Sequence, residues 1–216
     1  MKLWHRGLIT FTGKGIMTPT RTIVFLLAGL LLAGGTEAMA ASALFEFNSN
    51  NSVLEGRLGA EWPMGANTFH GGVSALYDSE DYSLFALDAA VGNSVLGPEA
   101  FFFLGLKGVY GTVEFEPEDA DAMAVGFLLG GEFEPYRFRD LPLVLNGHLV
   151  GALGPMNFGD NDGYLEFKTT VGVNFLAERR GGVFVGYRYL NFDFEDDFSA
   201  DSLSKNEIFL GLRFRY

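Results

Sequence analysis

Residues 206–216, N-E-I-F-L-G-L-R-F-R-Y, alternate with a strict two-residue period. Ile208, Leu210, Leu212, Phe214 and Tyr216 share one face of an extended strand, and Phe209, Gly211, Arg213 and Arg215 share the other. A soluble protein buries the apolar face of a strand and lets its last residues fray. An alternating strand that runs up to a terminal aromatic instead expects a hydrogen-bonded neighbour and an apolar solvent on one face. A closed barrel in a bacterial outer membrane supplies both. Its apolar residues face lipid, small or charged residues face the lumen, and aromatics sit at the headgroup boundary.

Export to that membrane should be written upstream. Residues 23–33, I-V-F-L-L-A-G-L-L-L-A, form an apolar run preceded by Arg21 and followed by G-G-T-E-A-M-A, in which Ala38 and Ala40 make a small-x-small cleavage site. The run is too short to cross a bilayer as a helix. Met17, close upstream of Arg21, is read as the translation start. Residues 1–40 are therefore expected to be a leader with a cleavable signal peptide, and residues 41–216 a single barrel domain.

Composition agrees with this division. The chain has no cysteine, so it has neither a disulfide framework nor a thiolate metal site. Its 27 acidic residues exceed its 15 basic ones, and Lys2, Arg6, Lys14 and Arg21 lie in the leader, which leaves the barrel more acidic still. Such a balance argues against nucleic acid as a partner, because phosphate binding needs clustered Lys and Arg. The 22 phenylalanines and 29 glycines fit strands with lipid-facing rings and a crowded inner face.

Ten alternating runs can be traced: 43–47, 53–62, 68–77, 82–92, 100–114, 122–134, 143–153, 164–176, 183–192 and 206–216. Most match the ~9 to 11 residues that a tilted strand needs to cross the hydrocarbon. The pattern predicts an all-β, ten-stranded antiparallel transmembrane barrel, with eight strands as the fallback count. Parity supports the short first run, because nine strands would leave the count odd. With the C-terminus on the periplasmic side, 48–51, 78–81, 115–121, 154–163 and 193–205 become the outer connections, expected to be longer and more acidic. The inner connections 63–66, 97–98, 136–142 and 177–182 carry Arg137, Arg139, Arg179 and Arg180.

Two resemblances follow from particular residues. The last stretch is similar to the C-terminal assembly signal of outer-membrane proteins. Gly211, Phe214 and Tyr216 match that signal, whereas Phe209 stands where a polar residue is usual. The run of glycine-rich strands, with L-K-G-V-Y at 106–110, A-M-A-V-G at 122–126 and V-G-Y-R-Y-L-N at 185–191, resembles the YfaZ-like outer-membrane proteins of Gram-negative bacteria. That resemblance implies a monomeric barrel and no catalytic residues. The implied partners are outer-membrane lipid and lipopolysaccharide, with the barrel-assembly machinery during biogenesis.

The nearest thing to a chemical constellation is the set of charges on the inner face. Glu55, Arg57, Asp88, Lys107 and Glu132 alternate inward on the earlier runs, and Glu166, Lys168, Arg188 and Arg213 on the later ones; Glu61, His70, His148 and Arg215 accompany them. They could pair across strands and fill the lumen, giving a barrel of structural or envelope role. They could equally line a narrow pore for ions or small polar solutes. A surface-binding or adhesion role through the acidic outer loops is the alternative, with Phe194 and Phe198 as aromatics in the last of them that could pack back on the barrel rim or bind a surface partner. An outer-membrane enzyme is disfavoured, because neither His70 nor His148 has a Ser or Asp at a spacing that suggests a dyad. Asp160-Asn161-Asp162-Gly163 looks like half a calcium loop without its downstream Glu, so no metal or other cofactor is expected.

Overall fold

An apolar-polar alternation gives each strand two different faces, but its backbone groups still need partners on both edges. In the computed structural model these needs are met by ring closure. The structure describes residues 42–95, 97, 99–115, 119–135, 142–176, 180–194 and 202–216. The expected signal peptide, cleavage site and Met17 start lie outside the described residues, as do Arg137, Arg139, Arg179 and Phe198.

Among the described residues the chain forms β1 (Ser42–Ser49), β2 (Val53–Met64), β3 (Asn67–Asp78), β4 (Tyr82–Ser94), β5 (Ala100–Val113) and β6 (Ala120–Phe133). These are followed by β7 (Leu143–Ala152), a three-residue β8 (Asn157–Gly159), β9 (Asn161–Asn174), β10 (Gly181–Phe194) and β11 (Ser202–Arg215). Each long strand pairs antiparallel with its neighbours in the chain, β7 pairing directly with β9. The ring closes where β1 meets β11, with Phe45 opposite Phe214 and Ser49 opposite Leu210. The ten expected runs thus become the ten long strands. The short first run is real and is the closing strand.

Several boundaries move outward, because hairpin ladders continue past the apolar belt into polar sequence. β9 starts at Asn161, β10 reaches Phe194 and β11 starts at Ser202. The connection expected over 154–163 is instead a 3-10 turn at Gly154–Met156, then β8, which pairs with β6 through Phe158 and Met123. Asp160 accepts the Asp121 N–H at 2.8 Å and Asn161 Oδ1 accepts the Met123 N–H at 2.8 Å. The side chains that look like part of a calcium loop therefore dock this connection onto β6. At the other end, β2 and β3 are joined by a two-residue turn in which Gly65 has φ 68°, a conformation that glycine adopts without steric cost.

Connections at the two ends do not differ in length as expected, since 134–142 is longer than 50–52, 79–81 or 114–119. Charge is what separates them. Glu80, Asp81, Glu114 and Asp160 cluster at the end opposite the C-terminus.

Burial decides which face is which. Leu104 is 62% exposed, Leu106 46% and Leu210 70%, whereas Arg188 is 2% and Glu166 4% exposed. The apolar face is outside and the charged face inside, the reverse of a soluble barrel. Trp62 and Phe69 pack at 5.5 Å near the end that holds Tyr216, and Tyr77 and Tyr110 lie toward the other end, as aromatics at two headgroup boundaries would. Placing an arginine at Leu106, midway along β5, should destabilise the barrel in lipid by about 2–4 kcal/mol. Urea titration in vesicles, followed by heat-modifiable gel mobility, measures it; a loss below about 0.5 kcal/mol would mean that this face does not meet hydrocarbon.

Candidate functional site: the barrel lumen

Alternation on ten strands sends charged side chains of both signs into one narrow interior, where each must find a partner. The first group is built around Glu46 and Glu55. Lys168 Nζ lies 3.1 Å from Glu46 Oε1 and 2.8 Å from Glu55 Oε2, and Arg188 Nη1 reaches Glu55 at 3.0 Å. Asn48 Nδ2 donates to both carboxylates, at 3.0 and 2.7 Å, so the two acids share a donor as well as a cation. Arg188 also binds Glu207, which in turn accepts the Tyr82 hydroxyl.

Lys168 and Arg188 are cross-strand neighbours of like charge. Glu55 contacts both, and both lie over the Phe209 ring, Lys168 Nζ at 5.2 Å and Arg188 Cζ at 5.7 Å from its centroid. Phe209, the departure from the assembly-signal pattern, thus has a local reason. It supplies a π face beneath two cations and packs edge-on against Phe184.

Around Glu166, Lys107 Nζ lies at 2.6 Å, His148 Nε2 at 3.0 Å, and the Tyr164 hydroxyl donates as well. Arg57 and Asp88 form a separate pair at 2.7 Å. Nearer the C-terminal end of the barrel, Arg215 binds Glu132 at 2.8 Å, Arg213 binds Glu46 at 2.9 Å and approaches Glu132, and His70 Nδ1 lies 3.5 Å from Glu61. All nine expected lumen charges point inward and are paired: Glu55, Lys168, Arg188, Arg213 and Glu132 belong to one network joined through Glu46, Lys107 pairs with Glu166, and Arg57 pairs with Asp88.

Glu46, Asn48, Glu207, Tyr82 and Tyr164 complete these groups and were not singled out in the sequence. Glu207 was legible, since it shares parity with Phe209 and Arg213. Glu46 was legible too, between the outward Phe45 and Phe47. The hydroxyl of Tyr82 carries no sequence signal, because its partner Glu207 comes from another strand, whereas Tyr164 reaches Glu166 two residues along its own strand, on the same face.

Of the assembly-signal residues, Gly211 faces the lumen beside Asn48 and under the Phe184 ring. Phe214 stacks on Phe45 at 6.5 Å. Tyr216 exchanges both backbone hydrogen bonds with Ala43 at 2.9 Å.

The interior is not charged throughout. Toward the acidic end, Tyr82, Val113, Val150 and Phe192 are fully excluded from solvent and Leu190 is 1% exposed. They form one cluster with Tyr164, Leu203 and Phe194. Phe194, expected in the last outer loop, is the buried end of β10 and takes the first of its two readings, packed on Phe192 and edge-on to Phe115 at 5.1 Å. An apolar layer thus crosses the lumen above the charges. A cavity of about 300 Å³ remains among the charges and toward the C-terminal end, lined among others by Glu55, Lys107, Lys168, His70, Glu132 and Arg215. Among the described residues no three acidic or histidine side chains converge as a metal site.

The charge groups make one interaction directly measurable. Arg188→Met leaves Glu207 without its cation and takes one of two cations from Glu55, and should cost about 3–5 kcal/mol, whereas Arg188→Met combined with Glu207→Gln should recover part of that loss. Urea-induced unfolding in detergent micelles reads both. Equal stability of the single variant and the parent chain would show that the network does not hold the barrel.

No family model matches the chain, and no curated protein matches its sequence. Among solved structures it is similar to Neisserial surface protein A (NspA), with 15% identity, 82% of this chain and 94% of that one covered, and a TM-score of 0.36. It is also similar to the outer membrane channel DcaP of Acinetobacter baumannii, with 11% identity, 84% and 60% covered, and a TM-score of 0.41. A third similarity is to the translocator domain of the autotransporter NalP from Neisseria meningitidis, with 12% identity, 91% and 96% covered, and a TM-score of 0.33. Overlaps of this size are partial, so the architecture of this barrel rests on its own strand register and burial.

Proposed function

We propose that this chain is an integral outer-membrane barrel of structural or envelope role whose lumen is closed to solutes, rather than a narrow pore. One observation carries the reading. The layer of Tyr82, Val113, Val150, Leu190 and Phe192 spans the interior with almost no solvent-accessible surface, so an ion entering from the cavity meets an apolar wall. The charges beneath it are matched to one another and act as packing. Export through a cleaved signal peptide at 1–40, assembly through Gly211, Phe214 and Tyr216, a monomeric state and contact with lipid and lipopolysaccharide belong to the same reading. So does the resemblance to YfaZ-like proteins.

The proposal includes no catalytic role. His148 is held by Glu166, which Lys107 and Tyr164 also engage, so this histidine is a member of the charge network.

Single-channel recording in a planar bilayer tests the closed lumen. The refolded protein should be electrically silent, and the double variant Tyr82→Ala with Phe192→Ala should open small steps by removing the rings that fill the layer. Reproducible steps from the unmodified chain, with ion selectivity altered by Lys107→Gln, would instead establish a pore.

A further inference from the structure

The ring of strands is closed, but it is not closed to the same height everywhere. β1 ends at Ser49 opposite Leu210, while β11 continues upward from Phe209 to Ser202. That is roughly 25 Å of strand with β10 on one side only. Hydrogen-bond direction along β11 follows from its lower end. Tyr216 exchanges both backbone bonds with Ala43 on the β1 side, and Arg215 donates to Arg180 on the β10 side. Direction alternates residue by residue in an antiparallel ladder, and neither pairing of β11 shows a register shift. The N–H and C=O groups of Ser202, Ser204, Asn206 and Ile208 therefore point away from β10. Among the described residues no backbone group meets them.

Of the devices that usually protect such an edge, proline and an outward-pointing lysine are missing from 202–208. Lys205 points inward to Asp81. The Ser204 hydroxyl donates to Asn191 and Asn206 accepts from Tyr187, so both side chains lean toward β10 and leave the edge clear. Ile208 is the last apolar residue on the outward face of this stretch. The outward residues above it are polar, which places 202–206 clear of the hydrocarbon.

We propose that this edge of β11 is a strand-addition site for an extended, cationic polypeptide segment presented from outside the membrane. Exposed Glu80 stands beside Asp81 in the turn that reaches Lys205, and that lysine is already neutralised by Asp81, so the field there favours a basic strand. A second copy does not fit. Strands on facing barrels in one membrane each tilt by about 35–45° and would cross rather than pair, and two acidic ends repel. The inference rests on the membrane placement of the barrel and not on closure of its lumen, so a conducting barrel would leave it standing.

The test is calorimetric titration of the refolded full-length barrel in detergent micelles with an alternating Lys–Val peptide of about ten residues, and with the same peptide N-methylated at every second amide. The parent peptide should bind, and N-methylation should weaken it by about tenfold or more, because it removes the donors that a strand edge needs. Ser204→Pro, which removes an edge-facing N–H and leaves the β10 ladder intact, should weaken the parent peptide similarly, with heat-modifiable mobility confirming the fold. If that variant does not fold, the two peptides on the unmodified barrel decide the matter. Equal affinity for both peptides, or no binding by either, overturns the proposal. So does cross-linking of β11 to β11 of a second copy in the same micelles.

Discussion

The structure depends on a constraint that hydrocarbon places on the peptide bond: no water is present to satisfy an N–H or a C=O, so every strand edge within the belt must be paired. β1 meets this condition. It supplies only the stretch from Leu44 to Ser49 against β11, with Ala43 and Tyr216 completing the ladder, yet without it β2 and β11 would both be open at membrane depth. Once the ring is closed, the two faces are no longer equivalent. Whatever alternates outward is solvated by lipid, and whatever alternates inward must be packed with the side chains the same strands provide.

Two materials fill that interior. Carboxylates and cations occupy the middle and the C-terminal end, where each group has partners at hydrogen-bond distance. Rings and aliphatic side chains occupy the acidic end. The desolvation cost of buried charges makes them weak evidence for stability, but a lumen built by alternation on an acidic chain has to place them somewhere. Their pairing with Tyr82, Tyr164 and Asn48 satisfies lone pairs that a cation alone would leave unmet. Glycine supplies the remaining room. A Cβ at Gly186 would overlap the Phe209 ring, and one at Gly211 would overlap that of Phe184, so the rings beneath Lys168, Arg188 and Arg213 sit where the neighbouring strand has no side chain.

Much of this was legible in the residue pattern. The ten runs, their order and the grouping of Glu55, Arg57, Asp88, Lys107, Glu132, Glu166, Lys168, Arg188 and Arg213 on the face opposite the apolar residues all follow from a two-residue period. Strand ends were less legible. Polar residues such as Asn161, Asp193 and Ser202 look like loop in sequence, yet a hairpin ladder continues through them once its lower half is in register. Phe194 misled for a related reason: acidic residues follow it closely, but its parity with Phe192 turns its ring into the lumen. The similar length of the connections at the two ends was also hidden, because it depends on where ladders stop and not on where apolar residues stop.

Alternation by itself determined ten membrane-length strands and which residues share a face, because a period of two in extended backbone leaves no other arrangement of side chains. Only the tertiary structure decided which charge meets which, that apolar rings cross the lumen at one end, and that β11 stands above β1 with one edge unpaired. Those outcomes depend on the stagger between strands around a closed ring, a property of all ten registers together that no single stretch of sequence contains.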